Sequence, residues 1–296
     1  MANLHQLEKK INTATGLQSI VKTMKTMAAV NIYQYEQAAS SLDSYLETIE
    51  AGLSGVISEA EFPRKREQPQ GGEQLLVVFG SDQGLCGRFN EKLVEFLQDR
   101  KEELLPQKEV SLLVTGARIR NRLESEGYNI IRSFWSPGSI EGLNRHILKI
   151  VLEISSWQEG QGKNRIDLLF NYHDRRGSTA EPLHLPLYPL GPRKLQELTE
   201  SPWPGRGLPW FAEEANNLAS HLIRQFLFVA IFRAQAQSLA SEQASRLNSL
   251  QQAEKNIQER LEELRGDYRQ LRQSVITSEL LDLVAGFKSA AGKNHK

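Results

Sequence analysis

From Trp210 to Phe287 the chain runs without proline, and its apolar positions fall into a register. Leu247, Leu250, Glu254, Ile257, Leu261, Leu264, Tyr268, Leu271, Val275 and Ser278 succeed one another at alternating steps of four and three. That is a heptad seam with one charged interruption, held for about four heptads, the length at which a coiled coil becomes the leading reading. Ala, Leu, Gln, Glu and Arg, all good helix formers, fill the positions between. Uninterrupted, such a helix would be on the order of 110 Å long, too long to fold back on a core of its own. It is expected to be an arm, stalk or axle that needs a partner along its stripe. Near its end Leu280, Leu281, Leu283 and Val284 crowd more than one face, and Phe287 follows. A helix apolar on most sides is buried on most sides. This tip should fold back or enter an apolar socket in another protein.

A second arm starts the chain, from about Asn3, a plausible N-cap, to Ser58 within residues 1–60. Leu4, Leu7, Ile11 and Ala14 begin one register, and Leu17, Ile20, Met24 and Met27 continue it after a three-residue slip beside Gly16. A slip of that kind locally overwinds a coiled coil. Tyr35, Ala38, Leu42, Tyr45, Ile49, Leu53 and Val56 carry the stripe onward. Two arms of one chain, each with a single apolar stripe, are expected to pack on each other antiparallel. The first is the shorter, so the end of the second should project alone.

All eleven prolines lie between Pro63 and Pro209, which frees both ends for long helices and denies them to the middle. Residues 61–73 (EFPRKREQPQGGE) read as a charged linker. Residues 74–190 alternate strand and helix patterns: strands at Leu75–Phe79, Val110–Val114, Tyr128–Phe134, Ile166–Tyr172 and Leu183–Tyr188, with helices at Asn90–Leu105, Ala117–Glu126 and Ser139–Trp157. Alternation implies a mostly parallel sheet covered by helices. The predicted fold is therefore an α/β domain, mostly parallel and Rossmann-like, inserted between two long terminal helices that form an antiparallel coiled coil. Residues 191–209 look too proline-rich for regular structure, residues 210–288 form the second arm, and 289–296 a polar tail.

Composition narrows the function. The formal net charge over 296 residues is zero, against a nucleic-acid binder working through a broad basic surface. A single cysteine, Cys86, excludes an internal disulfide and a cysteine-rich zinc site. The start, MANLHQLEKK, lacks the pattern of a secretory signal. The longest apolar run, Phe226 to Phe232, is flanked by Arg224 and Arg233 and is far short of the ~20 residues that span a bilayer. A reducing compartment is expected.

Candidate chemistry is sparse. The loop Gly80–Asn90 (GSDQGLCGRFN) has glycines that could present N–H groups to a phosphate at a helix start, yet it matches neither common phosphate-binding fingerprint. The competing reading is a tight strand-to-helix turn with Asp82 and Asn90 capping locally. Cys86 would need a base to act as a nucleophile. His5, His146, His173, His184, His221 and His295 are scattered at no metal-ligand spacing, and Asp167 and Asp174 flank a strand without forming a catalytic pair. No catalytic, cofactor or metal site is expected. A nucleotide-handling α/β enzyme with coiled-coil arms is the alternative, using the Gly80–Asn90 loop. A dimeric coiled-coil scaffold is a third.

Several blocks resemble the gamma subunit of rotary F-type ATP synthases. Ile276-Thr277-Ser278-Glu279, then Asp282 and Gly286, follow that family's C-terminal signature, with Phe287 where the family has alanine. Arg272-Gln273 matches its Arg-Gln pair. Ala240-Ser241-Glu242, with Arg246-Leu247 after it, is close to its Ala-Ser-Glu-x-x-x-Arg-Met. Ile20-Val21-Lys22-Thr23-Met24 is similar to its Ile-Thr-Lys-Ala-Met, and Ser81-Asp82-Gln83-Gly84-Leu85-Cys86-Gly87 to its Ser-Asp-Arg-Gly-Leu-Cys-Gly.

The resemblance implies a central rotor shaft, one copy per complex, with no active site and no cofactor. Its partners would be the alpha, beta and epsilon subunits and the c ring, without nucleic acid. It would reach the cytoplasmic face of the cell membrane only through the complex. Lys22, Met24, Arg246, Arg272, Gln273, Thr277 and Glu279 would face the alpha–beta hexamer, and the tip, with Leu280, Leu283, Val284 and Phe287, would turn in its bearing. Two departures stand out. The family's basic residues after Ala28-Ala29 are replaced by Val30-Asn31-Ile32-Tyr33, and residues 191–217 lack its usual approach to the second arm. Both point to a divergent branch, such as the N-type ATPase of some prokaryotes.

Overall fold

Five strands in one sheet and eight helices make up the regular structure of the described residues. The computed structural model describes residues 2–57, 72–107, 109–159, 164–173, 180–201, 203, 207 and 210–293. In order these are α1 (Ala2–Ser41), α2 (Asp43–Ile57), β1 (Glu73–Phe79), α3 (Phe89–Asp99), α4 (Lys101–Leu104), β2 (Glu109–Thr115), α5 (Ala117–Ser125), β3 (Ile130–Phe134), α6 (Ile140–Glu159), β4 (Asn164–Tyr172), β5 (Glu181–Tyr188), α7 (Pro192–Glu200) and α8 (Ala215–Lys293). The expected fold class holds: a mostly parallel sheet lies in sequence between two long terminal helices. The linker expected at 61–73 falls largely outside the described residues, and α8 extends past the expected end of the arm, to Lys293.

The chain divides into two compact units. The larger, Ala28–Asn248, holds the sheet in the order β3-β2-β1-β4-β5. β1, β2, β3 and β4 run parallel, and β5 closes one edge antiparallel. The central strands are apolar on both faces because both faces are covered. Leu75, Val77, Phe79, Ile166, Leu168 and Phe170 pack with α6, with the start of α8, and with Tyr35 and Ala39 of α1. Leu76, Val78, Leu112, Val114 and Leu169 pack with α3 and α5. The run Phe226–Phe232 is absorbed here, with Val229 and Ile231 fully buried. No helix among the described residues is long and apolar enough to cross a membrane.

Three local expectations are corrected. The first arm is two helices, broken at Leu42, where the Ser40 and Ser41 hydroxyls donate to the carbonyls of Gln37 and Ala38 and compete with the helical ladder. The helix expected over Asn90–Leu105 is likewise split at Arg100 into α3 and α4. The stretch 191–209 contains a helix: Pro192 stands at the first turn of α7, where a missing N–H costs nothing, and Leu198 is buried with Ile49, Leu53 and Val229.

The smaller unit pairs residues of Met1–Met27 with residues of Ser249–Lys296. Lys25 meets Glu254 and Gln18 meets Gln258, so the two helices run antiparallel. The slip expected near Gly16 does not occur. Leu4, Leu7, Ile11, Ala14, Gln18, Val21 and Lys25 keep the steps of three and four without interruption, and every one of them is half-buried. Leu17, Ile20 and Met27 stand outside, at 49%, 57% and 61% exposure. The helix is continuous, so the register that Leu4, Leu7, Ile11 and Ala14 set carries through Gln18 and Lys25, which find polar partners across the seam. Beyond Val275 every described side chain of α8 is exposed.

Candidate functional site

The loop after β1 lies at the carboxyl ends of parallel strands, where the chain turns from β2 and β3 on one side to β4 on the other. Open α/β sheets usually bind ligands at such a point. Here the crevice is filled from within. Ser238 of α8 donates its hydroxyl proton to the carbonyl of Phe79 at 3.1 Å. Gln235, Ser238 and Ser241 of the same helix are buried at or below 1% exposure.

The loop glycines serve packing. A Cβ on Gly80 would come within 2.4 Å of two Ile119 side-chain atoms, and one on Gly116, which stands at φ 110°, would come within 2.9 Å of the backbone of Gly80 and Ser81. The loop's polar groups are also spent within the domain. Asn90 accepts from the Ser81 N–H at 3.0 Å, and Asp82 accepts from the N–H groups of Ala117 and Ser136, each at 2.8 Å. The tight strand-to-helix turn is there, but the capping is not local: α3 has no side-chain cap, and Asp82 instead holds the start of α5 and the backbone at Ser136. Cys86 is buried among Phe89 and Ala180. Burial pushes its thiol pKa up, which disfavours the thiolate a nucleophile needs. Asp167 is buried on Arg165 and Gln74 within the sheet. Asp174, the other member of that candidate pair, lies outside the described residues.

His146 illustrates the same inwardness. Its Nε2 lies 3.3 Å from the Thr115 hydroxyl, and its ring stands edge-on to Phe134. Burial drives its pKa down from 6.5 to about 4, the neighbouring Gln235 side chain and the Asp82 carboxylate oppose this, and Lys149 adds to the depression. The unfolded chain therefore binds the proton more readily. The stability that rests on a neutral His146 is complete above about pH 6.5 and is lost as the pH falls toward 4. By pH 5 the loss should be about 2 kcal/mol. Urea titrations at pH 7.5 and pH 5 should show that loss in the wild type. It should shrink to a few tenths of a kcal/mol in His146→Gln.

Exposed apolar side chains occur in the larger unit, at Trp135, Leu152 and Trp210, and in a run at the end of α8. Leu280, Leu281, Leu283 and Val284 are 57%, 63%, 59% and 52% exposed. The side chain of Phe287 lies outside the described residues. Arg272, Gln273 and Glu279 are exposed, as is Thr277, whose hydroxyl donates to the carbonyl of Gln273. On α1 Lys22 is exposed and Met24 half-buried.

These residues do not form one patch. Arg272 lies eighteen residues beyond Glu254, the partner of Lys25. At 1.5 Å per residue that puts it about 27 Å along the helix from the level of Lys25, and about 20 Å or more from that of Lys22. Arg246 belongs to the larger unit, buried on Glu242 at 2.5 Å, and so is turned into the chain. The exposed stripe Leu17, Ile20 and Met27 was not among the expected contacts, because the heptad reading had assigned it to the seam. Its offset of one position from the true seam was the available signal.

Comparison with known proteins adds a family. The model described as ATP synthase matches residues 3–290. The ATP synthase gamma chain of Amoebophilus asiaticus is 27% identical over 300 residues, covering 97% of this chain and 98% of that one. The gamma chain of Pasteurella multocida is 28% identical over 298 residues, with 97% and 99% coverage. Among solved structures, a chain of the Euglena gracilis mitochondrial ATP synthase rotor superposes with a TM-score of 0.62 at 14% identity, covering 93% of this chain and 99% of that one. A chain of the Tetrahymena thermophila central stalk and c-ring gives 0.56 at 20% identity, with 79% and 99% coverage.

Proposed function

The chain belongs to the ATP synthase gamma-chain family, and from that premise we propose that it is a non-catalytic central shaft. It carries torque between a membrane ring of c subunits and an alpha–beta hexamer, during proton- or sodium-coupled synthesis or hydrolysis of ATP. The observation that carries this reading is the apolar end of α8, from Leu280 to Val284, held in solvent by the chain itself. Four large apolar side chains in five positions are costly to hydrate, at about 25 cal/mol per Å². An apolar collar in a partner relieves that cost, and an apolar contact is one a turning surface can slide in, because burial has no direction.

Catalysis then resides on beta. The filled crevice of the α/β domain supports this, since the place where such a domain would hold a nucleotide is occupied by α8. Lys22, Met24, Arg272, Gln273, Thr277 and Glu279 meet the hexamer at two levels of the arm. Epsilon and the c ring take the α/β domain, at the cytoplasmic face of the cell membrane. The shaft acts by coupling: each angle presents a different face to three equivalent sites and sets a different nucleotide affinity at each.

Coexpression with the cognate alpha and beta subunits tests this. With the chain present, a stable hexamer with steady ATP hydrolysis is expected. A hexamer that assembles and hydrolyses ATP equally well without the chain overturns the proposal.

A further inference from the structure

One face of α2 opens onto a groove. Ile49, Leu53 and Ile57 turn to the other side, where they are buried against Leu198 and Val229. Glu47, Thr48, Ala51 and Gly52 share the spacing of a single helix face and line the groove, whose volume is about 940 Å³. The missing side chain at Gly52 lets α2 lie close on α8, since an added Cβ would meet Leu222 at 3.3 Å. Trp203 and Trp210, from the stretch between α7 and α8, line the groove as well. The Ser54 hydroxyl donates to the carbonyl of Ser201 at 2.9 Å and so fixes the end of that wall to α2, two residues before Trp203.

The lining sets the charge of what fits. It holds two carboxylates, Glu47 and Glu50, and no lysine or arginine. Glu50 is answered by Lys194 at 2.7 Å. Glu47 is exposed and meets no cation among the described residues. Beside it Trp210 is 86% exposed and Trp203 40%. The face of an indole attracts a cation more strongly than any other aromatic side chain does. Arginine answers both features, because its planar guanidinium stacks on an aromatic face and forks onto a carboxylate, whereas a lysine ammonium is a compact, strongly hydrated charge. A membrane surface also takes up exposed tryptophan, but an unpaired carboxylate is repelled by anionic lipid.

We propose that this groove docks a loop of a partner protein that presents an arginine between apolar side chains. The guanidinium lies on the tryptophans and pairs with Glu47, and the apolar neighbours settle on Ala51 and Leu222. The inference stands on the larger unit alone and does not rest on the shaft reading.

Fluorine NMR of the full chain carrying 5-fluorotryptophan tests it, because the four tryptophans give four signals that single Trp-to-Phe replacements assign. The probe is the capped pentapeptide Gly-Leu-Arg-Leu-Gly. It should shift the signals of Trp203 and Trp210 and leave that of Trp135, 74% exposed, in place. It should bind about tenfold more tightly than the same peptide with glutamine for arginine, and Glu47→Gln should remove that preference. Equal binding of the glutamine peptide, an equal shift at Trp135, a preference unchanged in Glu47→Gln, or no shift at all would each overturn the proposal. So would three results that name another occupant. Shifts of the same two signals on concentrating the chain alone would give the groove to a second copy. Shifts by phosphatidylcholine vesicles equal to the peptide's would give it to a membrane. Tighter peptide binding in Arg206→Gln would give it to the chain's own arginine between the two tryptophans in sequence. None of these outcomes bears on whether the chain serves a hexamer, which the coexpression experiment decides separately.

Discussion

Leu283→Asp should leave the isolated chain as stable as the wild type and weaken its hold on an alpha–beta hexamer by at least a hundredfold. The two halves of that result have one cause. Leu283 is 59% exposed in the chain, and surface substitutions away from special features usually change stability by no more than about 0.5 kcal/mol. In an apolar collar the leucine would be worth about 1.5–3 kcal/mol. The carboxylate adds at least as much again, because it must be desolvated or protonated there. A total of about 3–6 kcal/mol is a factor of about 10² to 10⁴ in affinity. Cys86→Ser is the matched control, because Cys86 is buried in the loop after β1 and has no place in the tip. Pull-down of hexamer by the tagged chain reads the affinity, and thermal melting of the chain alone reads the stability. Equal retention of hexamer by the two variants would remove the tip from the interface. A lowered melting temperature in Leu283→Asp would show that the tip packs on the chain itself.

The parts of this fold legible in the sequence are those where one physical demand acts alone. Strands covered on both faces must be apolar throughout, so Leu75–Phe79 and Val110–Val114 read as strands without reference to anything else. The confinement of proline to the middle leaves helix as the form of both ends. What failed to show was a competition. At Ser40 and Ser41 a side chain competes with the backbone ladder, and the arm breaks at Leu42. At Pro192 a residue that usually ends helices starts one. On α1 Gln18 and Lys25 sit in the register set by Leu4, Leu7 and Ile11, and their partners, Gln258 and Glu254, are more than two hundred positions away. The tip was legible because nothing in the chain competes for it. Its expected contacts remain a matter for the hexamer, and Arg246 shows why. A Glu and an Arg four residues apart look the same on paper whether they face water or a core. Here they are at 5% and 7% exposure, so the motif they belong to reads first as packing.

Arg246→Met should accordingly cost the chain about 3–5 kcal/mol at pH 7.5, the loss found when one member of a buried ion pair is removed. Glu242 is the reason. Burial pushes its pKa up, and Arg246, 2.5 Å away, is the first group that holds it down. Without the guanidinium the carboxylate must be buried bare or take a proton. The pH dependence follows from the sign. A carboxyl with a raised folded pKa contributes most below its unfolded value of 4.5. It loses that contribution as the pH rises through the folded value. Removing Arg246 raises the folded value further, so the penalty of the variant relative to wild type should be smaller at pH 5 than at pH 7.5. His146 weakens both proteins alike on acidification, and the difference between them cancels its effect. Glu242→Gln with Arg246→Met should recover most of the loss, because a neutral amide needs no counter-charge. Urea titrations of the three proteins at the two pH values measure all of this. A penalty under about 1 kcal/mol, or one that grows on acidification, would mean that water reaches Glu242 and that the pair is a surface contact after all.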